Sequence, residues 1–355
     1  MMQMLRRWLQ GERTSPDFLL AEAQFTGALR SERRRADRSG AQLAMAAFQC
    51  SEGTWQSVPN QLSRALHERL RETDVAGLLD KGRVGVVLPN TSADGAWTFV
   101  AAILQQCQVE LDLMAEVYLY PEPDNFQPSR GTTFDEEKRE DDPPHVDREL
   151  EPLLADPLPA WKRTLDVVGA SLACVLLSPL LLLTAAAVKL TSPGPILFRQ
   201  WRGGWGGRPF LVYKFRTMCV DAESQQASLL ASNEQDGPAF KMKDDPRITS
   251  IGRYLRRSCL DELPQFWNVI KGDMTLVGPR PLPCRETDEC HGWERRRLEV
   301  TPGLTCIWQV DGGTRVSFAE WMRMDIRYIN SRRIANDLNL LWRTAAKVIL
   351  QRASH

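Results

Sequence analysis

The feature that most constrains this chain is one apolar run, Val167 to Val188, 22 residues interrupted only by Ser171, Ser178 and Thr184. At 1.5 Å per residue a straight helix of that length reaches about 33 Å, against a bilayer core of ~30 Å. Two features argue against a straight crossing. Ser178 and Pro179 fall at the midpoint, where proline removes a backbone donor and bends the helix. Basic residues flank both ends: Lys162 and Arg163 before, Lys189, Arg199, Arg202 and Arg208 after. Positive flanks stay on the cytoplasmic face, so the pattern puts both ends on one side, which a single crossing cannot do. It predicts a re-entrant, kinked helix; an ordinary span and a buried core helix are the alternatives.

The rest of the chain divides around that run. Residues 121–160 hold 8 of the 22 prolines and 12 acidic against 4 basic groups, with few apolar residues between them. Such a segment cannot offset its ordering entropy by burial, so it reads as a linker. Residues 1–120 are nearly neutral. Residues 161–355 carry 28 basic and 19 acidic groups, hidden within a net charge of zero, which favours an anionic partner. The expected organisation is a domain over 1–120, the linker over 121–160, the membrane helix over 161–191 and a cytoplasmic domain over 192–355.

The eight cysteines form no CxxC pair, and nothing near the start has the order of a secretory signal. Reduced thiols facing the cytoplasm are expected. Cys284, Cys290 and His291 lack a fourth ligand at zinc-like spacing.

Periodicity in the first 120 residues alternates helix and strand. Phe18–Arg38 and Val58–Glu72 read as helices, and Asn90–Thr91–Ser92 caps another through Leu104. Leu43–Cys50, Gly77–Asp80, Val84–Leu88 and Glu116–Tyr120 read as strands, giving an α/β sandwich. Over Arg35–Cys50, Thr73–Leu79 and Val86–Thr91 this region resembles a GGDEF-type nucleotide-cyclase domain. Asp80–Lys81–Gly82–Arg83–Val84 stands where that family has its signature turn, and Phe48–Gln49–Cys50 where an acidic metal ligand is expected. Phosphoryl transfer needs metal-held carboxylates. The degenerate GGDEF-like domain is therefore expected to be structural or regulatory, dimerising the chain or binding a regulator.

Chemistry concentrates further along. Val212–Met218 reads as a strand with Lys214 and Arg216 on one face. Asp245, Arg247, Arg253, Arg256 and Arg257 lead to the adjacent carboxylates Asp261 and Glu262, and Gly278–Pro279–Arg280–Pro281 follows. Arginines suit phosphate oxygens, and a carboxylate pair can bind a cation or attack phosphorus. A phosphate-handling site and a helix-start ion-pair network both fit the residues alone.

From Trp161 to Leu350 the chain resembles the monotopic bacterial sugar transferases, the polyprenyl-phosphate phosphoglycosyl transferases that begin exopolysaccharide and O-antigen assembly. The motifs carrying this are Lys162–Arg163–Thr164–Leu165–Asp166, Ser178–Pro179, Ser192–Pro193–Gly194–Pro195, Lys214–Phe215–Arg216–Thr217–Met218 and Asp261–Glu262–Leu263–Pro264–Gln265. Val277–Gly278–Pro279–Arg280–Pro281, Pro302–Gly303–Leu304–Thr305 and Trp308–Gln309–Val310 complete the set.

The resemblance implies a mainly α, α+β monotopic membrane domain with a re-entrant helix, at the cytoplasmic face of the bacterial inner membrane. It implies transfer of a sugar 1-phosphate from a UDP-sugar to polyprenyl (undecaprenyl) phosphate, with release of UMP and no part for nucleic acid. Asp261 would be the nucleophile and magnesium ligand, Glu262 its acid–base or metal partner, and Arg280 a phosphate contact. Lys214, Arg216, Arg247 and Arg256 would steer phosphate, and Ser178–Pro179 would break the membrane helix. Thr301 and Cys306 depart from the family's basic residue and glycine, and Arg315 follows where an arginine is common slightly earlier. These departures bear on nucleotide or sugar contacts. Two other classes remain open: a catalytically inactive membrane adaptor, and a glycosyl transferase that releases UDP.

The stripe Phe318, Trp321, Met322, Asp325 and Ile329 fits either a membrane surface or a core.

Overall fold

The computed structural model describes residues 18–50, 58–79, 82–107, 113–121, 147–229, 244–312 and 316–353, with a few positions between 233 and 242. The chain divides into two units, Met1–Leu150 and Glu151–His355.

In the N-terminal unit β1 (Leu43–Cys50) forms where expected, between the helices α1 (Glu22–Ser39) and α2 (Asn60–Arg69). Strands β2 (Val75–Leu78) and β3 (Val84–Pro89), helix α3 (Ala93–Cys107) and strand β4 (Leu113–Tyr120) follow. The sheet order is β2-β3-β1-β4-β5, with the short β5 (Asp147–Glu149) parallel to β4. Strand alternation sorts the core: Ala44, Ala46 and Phe48 of β1 pack with Leu62, Leu66, Val100 and Ile103 from α2 and α3. Phe25 of α1 covers the other face where Gly77 and Gly85 are cross-strand partners; a Cβ on Gly85 would lie 2.5 Å from its ring. Helices on both faces make the expected α/β sandwich.

Helix α1 starts later than its periodicity suggests. Leu20 instead extends along β2, its N–H donating to the Ala76 carbonyl at 3.0 Å. Of the segment read as a linker, 122–146 lies outside the described residues, as do Asp80 and Lys81. The end of that segment is ordered, because β5 pairs with β4 and Glu151–Leu154 forms one helical turn.

The C-terminal unit opens with α4 (Ala160–Leu176) and α5 (Ser178–Thr191), bent by 64°. Among the described residues no single helix is long and apolar enough to cross a membrane; only this bent pair is, taken together. The bend has a local cause. Pro179 has no N–H for the Val175 carbonyl, and the Ser178 hydroxyl donates to that carbonyl instead, at 2.8 Å.

The hairpin β6 (Leu197–Gly203)–β7 (Pro209–Phe215) comes next, then α6 (Ala222–Leu229), α7 (Ser250–Arg257) and α8 (Gln265–Lys271). A small parallel pair, β8 (Thr275–Val277) and β9 (Gly303–Thr305), brackets α9 (Cys284–Asp288). The unit closes with a π-helical turn over Trp308–Gly312, α10 (Phe318–Asn330) and α11 (Ile334–Ala353). The α10 stripe is core, since Phe318, Trp321, Met322 and Asp325 are all buried.

Two basic flanks of the apolar run do unexpected work. Lys162 is 1% exposed and ion-paired with Asp337, which is 0% exposed. Arg163 donates to the Val269 and Ile270 carbonyls at 2.7 Å each, satisfying the end of α8. Asp166 accepts from the Leu276 N–H at 2.8 Å. The Lys162–Asp166 motif therefore fastens α4 to the rest of the unit, and its cations count little as topology signals.

Candidate active site

The two carboxylates owe their position to a chain reversal. Thr249 caps α7 by accepting from the Gly252 N–H at 3.0 Å. At the other end Cys259 takes a left-handed conformation (φ 54°) that stops the helix, and a 3₁₀ turn over Leu260–Glu262 follows. Buried Leu260 anchors the turn, leaving Asp261 and Glu262 side by side before α8.

Glu262 is claimed by cations. Lys214 of β7 donates to its Oε1 at 2.8 Å, and Arg280 grips both its oxygens as a fork. Burial by itself pushes the Glu262 carboxyl up, but Arg280 and Lys214 outweigh it and hold it well below the usual carboxylate range. Burial pushes the Lys214 ammonium down to about 8, with Glu262 pulling the other way. Asp261 differs from its neighbour. It is 8% exposed and makes no hydrogen bond among the described residues. Burial, then the Glu262 charge, raises it to about 6, while Lys214, Arg256 and Arg280 pull it down. The turn thus holds one carboxylate locked in an ion-pair network and one that is desolvated and, among the described residues, without a hydrogen-bond partner.

The expected phosphate contacts separate. Lys214 and Arg280 adjoin the pair. Arg256 is exposed, with its Nε donating to the Thr217 hydroxyl at 3.0 Å, and its charge faces Asp261. Arg216 is buried, and its Nη2 donates to the carbonyl and hydroxyl of Ser192, the residue that closes α5. Arg247 is locked bidentately onto Asp245, at 2.9 and 2.7 Å, and also donates to the Ala222 carbonyl. Both guanidinium groups hold protein groups here, and the Nε and Nη1 of Arg216 are buried with no partner among the described residues. Ser178 and Pro179 sit at the α4–α5 bend, while Arg315 lies outside the described residues.

The sequence reading missed Arg202 and Arg297. Both send a guanidinium into the segment bearing Arg280, Arg202 to the Pro281 carbonyl and Arg297 to the Arg280 carbonyl. The alternating prolines 279, 281 and 283 were the available signal, since a stretch poor in N–H donors must be held by its carbonyls.

With this geometry in view, comparison with known proteins is informative. Residues 158–351 match the family described as bacterial sugar transferase. The chain belongs to this family. A galactosyl transferase of Streptococcus agalactiae is 40% identical over 190 residues, 53% of this chain and 42% of that one. A UDP-glucose:undecaprenyl-phosphate glucose-1-phosphate transferase of Caulobacter vibrioides is 43% identical over 200 residues, 53% of this chain and 69% of that protein. An undecaprenyl-phosphate galactose phosphotransferase of Salmonella typhimurium is 38% identical over 198 residues, 54% and 40% of the two chains. The chain thus spans well under half the length of two of these three bacterial sugar transferases. The GGDEF domain of a Pseudomonas aeruginosa protein aligns at TM-score 0.27 and 21% identity, covering 30% of this chain and 76% of that one. A likeness at that level carries no argument, and the N-terminal unit is α/β on its own strand order.

Among the described residues no group of three or more His, Cys, Asp or Glu could hold a metal. Magnesium fits only together with substrate: Asp261 offers one unpaired carboxylate, and diphosphate oxygens and water would complete the shell. Bound there, it would offset the charge of the diphosphate.

Proposed function

We propose that this chain transfers a sugar 1-phosphate from a UDP-sugar to polyprenyl phosphate, undecaprenyl phosphate in the names of two of the relatives above, and releases UMP. The observation that carries the reading is the contrast within the 3₁₀ turn, an unpaired Asp261 beside a Glu262 that holds Lys214 and Arg280 in place. An Asp261 oxygen attacks the phosphorus bearing the sugar. The bond from that phosphorus to the bridging oxygen breaks, and UMP leaves with that oxygen. An oxygen of the lipid phosphate then attacks the same phosphorus, and Asp261 departs as a free carboxylate. Arg280, Lys214 and Arg256 offset the charge that would otherwise repel a carboxylate from a diphosphate. Glu262, held ionised, serves by keeping two of those cations in place.

A lipid acceptor requires the site to stand at a membrane surface. Val168, Leu172, Val175, Leu176, Leu182 and Leu183 on the bent pair are 56–72% exposed. At ~1.5–3 kcal/mol per buried side chain, covering them with lipid would be worth on the order of 10 kcal/mol. We read the pair as a re-entrant hairpin in the cytoplasmic face of the bacterial inner membrane. Cysteines introduced as Trp161→Cys and Leu190→Cys should react with the same membrane-impermeant reagent from the same side; opposite sides would overturn this. The N-terminal unit is read as regulatory or dimerising, without cyclase activity.

The test of the transfer is nucleotide release by purified protein in nanodiscs with undecaprenyl phosphate, Mg²⁺ and a panel of UDP-sugars. UMP with one sugar supports the reading and names the substrate. UDP would mean attack at the sugar carbon. Silence from folded protein across the panel would favour an inactive adaptor.

A further inference from the structure

The segment Pro279–Arg280–Pro281–Leu282–Pro283 has a proline at every second position, so three of its five residues have no N–H to donate. Its carbonyls hold it instead, and all five are engaged, that of Pro283 by the Thr287 N–H of α9 at 2.9 Å and the other four from outside α9. The Pro279 carbonyl accepts from the Gly303 N–H at 2.8 Å, and the Leu282 carbonyl from the Gly203 N–H at 3.0 Å. Between them the Arg280 carbonyl accepts from Arg297 Nη2, and the Pro281 carbonyl from Arg202 Nη1 at 2.5 Å. The two outer anchors are backbone groups at the edges of β9 and β6. The two inner ones are guanidinium groups, and the innermost acts on the residue whose side chain grips Glu262.

Arg297 is a costly anchor. It is 4% exposed, and its Nη2 lies 2.9 Å from Asp325 Oδ2, itself 1% exposed. Its guanidinium also stands over the Trp321 ring, 5.5 Å from the centroid. A buried ion pair of this kind seldom adds net stability over apolar residues of similar volume. Asp325 and the Arg280 carbonyl both call for a donor here, and the one guanidinium serves both.

We propose that Arg297, held by Asp325, is a positioning residue for the transfer: it fixes the backbone of Arg280 so that the Arg280 side chain reaches Glu262 beside Asp261. The inference rests on the proposed transfer for its catalytic meaning, though the clamp itself is a structural property. The chain of contact runs from Asp325 on α10, through Arg297 and the Arg280 carbonyl, to the Arg280 fork on Glu262. A buried aspartate on a helix far from the nucleophile in sequence thereby sets the charge around it.

The experiment compares full-length wild type with the charge-neutral pair Arg297→Met/Asp325→Asn, which strands no buried charge. We expect melting within a few degrees of wild type, the UDP-sugar KM within about threefold, and kcat for UMP release lowered roughly 30-fold, as for loss of a transition-state contact. In an Arg280→Met background the same pair should cost nothing further, because it acts through Arg280. A readout independent of turnover is labelling by phenylglyoxal, mapped by peptide mass. Arg280 should react at least fivefold faster once its backbone is released. Near-wild-type kcat with Arg280 still protected would overturn the clamp, as would losses that multiply in the Arg280→Met background. Should the pair fail to fold, Arg297→Lys retains the charge with single-point donation and should show a smaller loss with the same increase in Arg280 labelling; unchanged labelling there overturns the proposal. A wild type that releases no UMP would end the transfer reading, and the labelling result would still decide the clamp.

Discussion

The two units solve the problem of a stable interior in opposite ways. In the N-terminal unit the sheet faces are lined by alanine, valine, leucine and phenylalanine, and among the described residues the buried polar side chains there are Arg33, Ser63 and Thr91. The C-terminal unit buries Lys162 with Asp337, Asp245 with Arg247 and Arg297 with Asp325, each as an ion pair. An apolar interior holds a shape cheaply. An interior threaded with charges costs desolvation, and it fixes side chains and backbone carbonyls in place, as Arg297 does at the Arg280 carbonyl. The contrast separates an interior built by apolar packing from one that also holds a desolvated carboxylate beside an ion-paired one.

The largest effect expected from this contrast is at Asp261. Asp261→Asn should lower UMP release by more than about 1,000-fold, since no other side chain takes the nucleophile's place. The same change should stabilise the protein. Asp261 is raised from its ordinary 3.8 to about 6. The folded state therefore holds its proton more tightly than the unfolded chain, and at neutral pH ionised Asp261 opposes folding. Calorimetry at pH 7 should find a higher Tm for the inactive variant, with the gain shrinking as pH falls below about 6; a lower Tm would break the comparison. In wild type the sign for activity is opposite. Turnover needs the carboxylate, so it should fall as pH drops through about 6.

Next in size is Lys162→Met. Leaving Asp337 buried without its cation should cost about 3–5 kcal/mol, measured by denaturant unfolding of the C-terminal unit. Lys162→Met/Asp337→Leu should recover most of that loss. Failure to recover would mean that this pair contributes net stability, unlike the contrast drawn above.

In the apolar unit, Gly85→Ala forces a methyl group against the Phe25 ring and should cost about 1–3 kcal/mol, leaving UMP release per folded molecule unchanged. The smallest effect belongs to Ser178→Ala. It removes the donor that satisfies the Val175 carbonyl at the helix break and should cost about 1 kcal/mol, seen as a modest fall in Tm.

How much of this was legible beforehand follows the same division. The N-terminal sandwich could be read because helix and strand patterns are local, and β1 formed over the apolar, strand-length run that marked it. The Ser178–Pro179 break was legible for the same reason, since a missing N–H acts within one turn. Asp261, Glu262, Lys214 and Arg280 could be named because motif and chemistry coincide in short stretches. Arg216 and Arg247, named on the same grounds, hold Ser192 and Asp245 instead of joining that cluster. A cation in a basic stretch looks alike whether it meets a phosphate or a buried carbonyl.

Sequence alone determined the helix break at Ser178–Pro179, the sheet pattern and the adjacency of the two carboxylates, all properties set within a few residues. Only the tertiary structure decided which carboxylate stayed free. Glu262 and Asp261 are adjacent and chemically alike, and what separates them is that Lys214 and Arg280, 48 and 18 residues away, both converge on one of them. Burial and charge are sums over everything nearby in space, so no window of sequence contains them.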